Sequence, residues 1–272
     1  MLGAIAGDIA GSVFEACPMQ GARDSFPLFG KYSRPTDDTI MTLAIADALR
    51  KGYDNRERTE QLVRESMLSF GHMYPYAGYG GNFMRWLETN GQSESYSFGN
   101  GSAMRVSPVG WVCKSLEETE DYATITARVT HGHPEGIKGA CAVATAVYLA
   151  RTRASKEDIR AHVASRYGYD MGRTLAQIKP GYRFDVTCQG SVPGAITAFL
   201  ESRDTEDAIR LAIWLGGDSD TQAAIAGSIA EAFYGPLPRD MEEEVLKRLD
   251  STQKKCLRDW QNWLADLEAK RA

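Results

Sequence analysis

The sequence predicts an all-α protein: a single-domain multi-helix bundle over residues 1–272. Three observations carry this expectation. Apolar residues recur at helical spacing in about a dozen segments, only one short stretch alternates as a strand would, and no linker or low-complexity tract divides the chain. A chain of 272 residues, 43% hydrophobic and 25% charged, can bury a large core without disulfides or a structural metal. A metal in such a chain would serve chemistry rather than folding.

The elements follow in order. Residues 2–17 carry Gly3, Gly7 and Gly11 four apart, which stacks three glycines on one helix face. Each glycine costs about 1 kcal/mol against alanine in a helix, so close packing or contact is the reason to keep them. Residues 38–51 place Ile40, Leu43, Ala44 and Ala48 on one stripe, with Gly52 as C-cap. Residues 56–73 and 80–90 read as helices, as do 117–130 and the alanine-rich 135–151 that follows Pro134. Ser155 and Asp158 open residues 155–167 as a capping box. Residues 193–202, 204–214, 219–234, 240–250 and 252–270 complete the set. Residues 182–188 alternate, but a lone strand makes no sheet, so an extended loop is expected there. Gly11-Ser-Val-Phe-Glu15-Ala echoes Gly227-Ser-Ile-Ala-Glu231-Ala, which suggests two similar glycine-bearing core helices.

Composition removes several function classes. The net charge is −5 and no basic stretch is long enough for a nucleic-acid footprint. The apolar N-terminus lacks a basic region and is broken by Asp8 and Glu15, unlike a signal peptide. No run of about 18 apolar residues predicts a membrane span. Five scattered cysteines form no Cys-x-x-Cys pair, so neither a disulfide framework nor a zinc site is expected. A cytoplasmic protein is the expectation.

Two acidic runs stand out: Pro35-Thr36-Asp37-Asp38-Thr39 and Gly216-Gly217-Asp218-Ser219-Asp220-Thr221. Each pairs two aspartates with a threonine at an expected helix start. Such residues are ordinary N-caps and suit the positive end of the helix dipole. They are also oxygen donors for hard cations. If the two helix starts meet, their carboxylates repel unless divalent cations lie between them. The diglycine allows close backbone approach to a ligand. Glu15 is either a surface residue or a further carboxylate at this centre. His131, in Thr130-His131-Gly132-His133-Pro134, is either a helix-end residue or a site residue. The loops Ser97-Phe98-Gly99-Asn100-Gly101-Ser102 and Gly78-Tyr79-Gly80-Gly81-Asn82 are either plain turns or presenters of backbone N–H groups to phosphate.

Taken together, these residues resemble the ADP-ribosylglycohydrolase family over nearly the whole chain. The resemblance rests on Gly7-Asp8-x-x-Gly11-x-x-x-Glu15, Thr36-Asp37-Asp38-Thr39, Gly99-Asn100-Gly101-Ser102-Ala103-Met104-Arg105, Thr130-His131-x-x-Pro134 and Gly216-Gly217-Asp218-x-Asp220-Thr221. It implies a helical fold around a binuclear magnesium centre, in which manganese can substitute. By residue match, Thr36, Asp37, Asp38, Asp218, Asp220 and Thr221 are the implied metal ligands. Asp38, Asp218 and Glu15 are the implied acid–base candidates. Ser97, Phe98, Gly99, Asn100, His131, Gly80 and Gly81 are implied to line the ADP-ribose cleft. The implied activity is hydrolytic release of ADP-ribose from a modified protein or small-molecule acceptor, by a protein often monomeric. No ligand position is lost, which argues against an inactive relative. Residues 150–215 carry less of the pattern, so acceptor identity stays open. The alternatives are a binding protein without turnover, another two-metal hydrolase, and a helical scaffold whose acids only cap helices.

Overall fold

A computed structural model describes residues 1–17, 19, 21–93 and 96–271. Its α-helices are α1 (Leu2–Gly11), α2 (Asp37–Gly52), α3 (Arg56–Met73), α4 (Gly81–Glu88), α5 (Gly101–Met104), α6 (Ser107–Val112), α7 (Leu116–Arg128) and α8 (Pro134–Arg151). They continue as α9 (Lys156–Tyr167), α10 (Leu175–Ile178), α11 (Cys188–Glu201), α12 (Thr205–Leu215), α13 (Ser219–Tyr234), α14 (Arg239–Arg248) and α15 (Ser251–Ala269). The described residues form no strand, only isolated bridges between Tyr96 and His131 and between Gly99 and Thr187. The all-α expectation holds, and residues 182–187 are the extended loop expected. Among the described residues, no helix is long and apolar enough to cross a membrane.

Side-chain caps set many of the starts. Ser155 and Asp158 form the expected reciprocal box at α9, and Asp250 with Gln253 forms another at α15. Three boundaries differ from expectation. Helix α1 ends at Gly11 rather than at residue 17, and Glu15 lies beyond it in non-helical backbone. The Ser12 hydroxyl donates to Ile9 O at 2.9 Å, closing the last turn. Gly52 is the last residue of α2, and Tyr53 is its C-cap. Helix α11 begins at Cys188, capped by the Thr187 hydroxyl, so Pro193 lies inside it. The missing proline N–H would have met the carbonyl of Gln189, an exposed residue where water can serve instead.

Helix α13 sits in the core against α1, α8, α11 and α12. Its contact with α1 is backbone to backbone. A Cβ at Gly3 would lie 2.2 Å from Gly227 O, and one at Gly7 would lie 2.0 Å from Ala223 O. At Gly11 it would meet Asp220 Cα at 2.5 Å. The glycine face therefore serves close packing, and it brings the start of α13 beside Asp8 of α1.

Candidate metal centre and cleft

Asp8 is the one charge in an otherwise apolar helix, and it is fully buried. Its carboxylate accepts from Thr36 N at 2.9 Å, from Thr39 N at 3.1 Å and from the hydroxyls of both threonines. These bonds hold the first turn of α2, and with it Asp38, against α1. From the other side, Gly216 (φ 88°) and Gly217 (φ 79°) turn the chain from α12 into α13 and set Asp218 as N-cap. Residues with side chains avoid that left-handed region, so the diglycine is a backbone requirement here. A Cβ at Gly217 would also strike Tyr182 at 2.8 Å.

The two acidic runs meet. Carboxylate oxygens of Asp8, Asp38 and Asp220 lie within 4.8 Å of one another, as do those of Glu15, Asp218 and Asp220. Asp220 belongs to both trios. Thr221 Oγ1 donates to Asp38 Oδ2 at 3.4 Å, and Thr221 N donates to Asp220 Oδ1 at 2.9 Å. Asp218 Oδ2 accepts from Asn100 Nδ2 at 2.8 Å, and Asn100 Nδ2 also lies 3.0 Å from Ser191 Oγ. Asp38 Oδ1 is buried without a hydrogen-bond partner. A buried polar atom left unpaired costs about 1–3 kcal/mol, more when charged.

Burial, and then the charge of Asp220, raises the pKa of Asp8 to about 7 and that of Asp37 to about 8. The same two causes raise Asp38 and Asp218 well above the ordinary carboxylate range. Glu15 is exposed as a residue, yet its carboxylate leans over the cluster. Partial burial and Asp220 raise its pKa, and Arg34 opposes them. A group of acids that repel one another, with one orphaned oxygen and only oxygen donors, fits hard divalent cations.

The cluster forms the base of a cleft of about 340 Å³. Thr36, Asp37, Asp38, Asp218, Asp220, Thr221 and Glu15 all line it. So do Gly80, Gly81, Ser97, Gly99, Asn100 and His131. Asp37 stands outside the two carboxylate trios, and the Thr36 hydroxyl is turned to Asp8. Phe98 is not part of the lining. It is 45% exposed at the rim, with its ring 5.2 Å from that of His133.

His131 is buried, and its Nδ1 lies 2.8 Å from Thr130 Oγ1. A Cβ at Gly101 would lie 3.2 Å from His131 Nε2, so the glycine leaves that nitrogen room beside the 97–101 loop. Burial and the nearby Arg105 charge hold the imidazole pKa well below its usual value, which keeps the ring neutral. Arg105 is itself fully buried under the cleft. It donates to Thr126 O at 3.1 Å and Thr130 Oγ1 at 2.6 Å, and burial lowers its pKa to about 9.

Asp8, Arg105 and Arg34 also belong to the centre or its cleft, beyond the residues expected there from sequence. For Asp8 a signal existed, a lone acid on a glycine-faced apolar helix. Arg105 appeared only inside a longer motif.

A helical fold whose cleft is lined by a cluster of hard oxygen donors defines a class of protein with a cation-suited site. A sequence profile of the ADP-ribosylglycohydrolases matches residues 1–272, and the chain belongs to that family. It is a hydrolase by this membership and by its relatives. The chain is 26% identical to the ADP-ribosylhydrolase ARH3 of Mus musculus, over 86% of this chain and 82% of the relative. It is 28% identical to the ADP-ribosylarginine hydrolase Tri1 of Pseudomonas putida (strain GB-1), over 90% and 72%. A solved chain from an ADP-ribosylglycohydrolase-related protein complex shares the fold, with a TM-score of 0.67 at 24% identity, over 97% of this chain and 96% of that one.

Proposed function

We propose that this chain, acting as one domain, is a magnesium-dependent ADP-ribosyl hydrolase that cleaves at the anomeric carbon of the distal ribose. The observation that carries the reading is the pair of carboxylate trios sharing Asp220 at the floor of the cleft. Family membership and the activities named for the relatives support it.

In this reading Thr36, Asp37, Asp38, Asp218, Asp220 and Thr221 hold two magnesium ions, for which manganese substitutes, and Asp8 orients the first of the two runs. When bound, the ions supply Lewis acidity that orients ribose hydroxyls and lowers the pKa of a water. The diphosphate lies along Ser97, Gly99 and Asn100, where glycine leaves backbone N–H groups accessible. Neutral His131 hydrogen-bonds the ligand from beneath that loop. Gly80 and Gly81 form the facing wall, and Phe98 covers the outer end from the rim. As water oxygen bonds to the anomeric carbon, the bond to the acceptor breaks through an oxocarbenium-like transition state. Asp38 or Asp218 takes the proton from water, with Glu15 the rival, and a second of these carboxyls in its acid form gives a proton to the departing acceptor.

The test is release of ADP-ribose from a panel of arginine-linked, serine-linked, nucleic-acid-linked and ester-linked substrates, with magnesium or with EDTA. Metal-dependent release that is lost in Asp218→Ala supports the hydrolase. Tight ADP-ribose binding without release from any substrate means a binding protein instead. Asp38→Asn should lower both turnover and metal affinity, and a variant with full activity and affinity counts against Asp38.

A further inference from the structure

Beyond the cleft lies a second groove of about 340 Å³, and Arg34 and Ala77 line both. Ala77 O accepts from Asp37 N at 3.0 Å, so the lip between the two is tied to the acidic centre. The 97–101 loop and His131 mark the other part of the cleft. An ADP-ribosyl group stretched from that loop to the acids would present its anomeric carbon at the centre and its acceptor toward the lip.

We propose that the groove past the Arg34–Ala77 lip binds the polypeptide that carries the modified side chain. The proposal rests on the reading of the cleft as an ADP-ribose site, and it names the acceptor class that the reading leaves open. The groove is built as a protein-binding surface. Ile40 and Tyr74 are part of it, and Tyr74 Oη donates to Asp250 Oδ2 at 2.9 Å, so that wall is ordered before anything binds. Tyr76 is 92% exposed and Met73 is 52% exposed at its edge. Aromatic and methionine side chains are enriched where proteins meet. Pro75 fixes its own φ between the two tyrosines, which lowers the ordering entropy lost on docking.

Charge favours a polypeptide over a nucleic acid. The charge of Arg34 already acts on Glu15 at the acidic centre, so the guanidinium is shared with that carboxylate and offers a peptide carbonyl N–H donors at the lip rather than a free charge. The second cation, Arg248, is already engaged by Glu244 at 2.6 Å and by the ring of Phe29 at 5.3 Å. Asp250 adds a negative charge beside it. Phosphate tracking needs several free cations, and both arginines that line this groove are already engaged by acids.

The experiment measures binding to the magnesium-loaded full chain of three probes: free ADP-ribose, arginine- and serine-attached ADP-ribosyl dodecapeptides with uncleavable linkers, and an ADP-ribosylated oligonucleotide. Tyr76→Ser and Met73→Ser are compared with the unaltered chain, since both side chains are exposed and neither lines the ADP-ribose cleft. The expected result is severalfold tighter binding of at least one peptide than of ADP-ribose. Tyr76→Ser should reduce that advantage by about fivefold or more and leave ADP-ribose binding unchanged. ADP-ribose binding with no peptide advantage, or an advantage that survives both substitutions, overturns the groove alone. An advantage seen only for the oligonucleotide overturns the polypeptide assignment. No binding of ADP-ribose overturns the underlying reading and the groove with it.

Discussion

Asp8 accepts four hydrogen bonds from Thr36 and Thr39 and has no exposed surface. An amide in its place would turn N–H donors toward donors. Asp8→Asn should therefore destabilise the protein by about 1–3 kcal/mol. It should also weaken magnesium or manganese binding by about 10–100-fold, as loss of an orienting partner does. Calorimetric metal titration and denaturant unfolding read the two effects separately, and unchanged metal affinity would remove Asp8 from the centre. At this scale the sequence was informative where residue types cluster. Thr36–Asp38 and Asp218–Thr221 each read as ordinary caps alone, and it was their pairing within the family pattern that marked them as one candidate centre. Asp8 was illegible as a partner, because its role depends on which helix its own helix packs against. Phe98 showed the converse: its place in a motif named the loop, but not whether the ring lies in the cavity or at the rim.

Between α1 and α13 the glycines admit no side chain. Gly7→Ala gains about 1 kcal/mol in helix propensity. It also sets a Cβ 2.0 Å from Ala223 O, and such overpacking costs about 1–3 kcal/mol or more. The net expectation is a lower melting temperature and weaker metal binding, since α13 must retreat with Asp220 on it. A variant with raised stability would show that the two helices can separate freely. Long helices with caps and stripes, such as α2, α9 and α13, were readable from periodicity. The four-residue α5 and six-residue α6 were not, because neither is long enough to show a period. The start of α11 was misplaced at Pro193, since proline favours a first turn unless an exposed carbonyl excuses it. The end of α1 was overrun because apolar residues continue past Gly11, and the Ser12 bond to Ile9 O that closes the last turn is visible only in the structure.

The whole molecule carries the electrostatic cost of its centre. An aspartate titrates near about 3.9 when unfolded, whereas Asp8 and Asp37 in the fold titrate at about 7 and about 8. The folded state thus binds more protons than the unfolded state between these values, and metal-free stability falls as pH rises through that window. Unfolding midpoints in EDTA should be lower at about pH 8.5 than at about pH 6.5, and magnesium should restore the loss at the higher pH, where the acids are free to bind it. Equal midpoints without metal would contradict the raised values. The all-α architecture was legible as a whole because only residues 182–188 competed with helix, and a lone strand makes no sheet. Which helices meet was not, since that depends on contacts between distant residues. The bond from Thr221 to Asp38 spans 183 positions, and the bond from Asn100 to Asp218 spans 118. Closing loops of that length comes late, after local helices have formed. The cation centre is therefore expected to form late, so added magnesium should slow unfolding while leaving the refolding rate nearly unchanged. Metal would then act as a latch on a finished protein and offer no help to a chain still finding its fold.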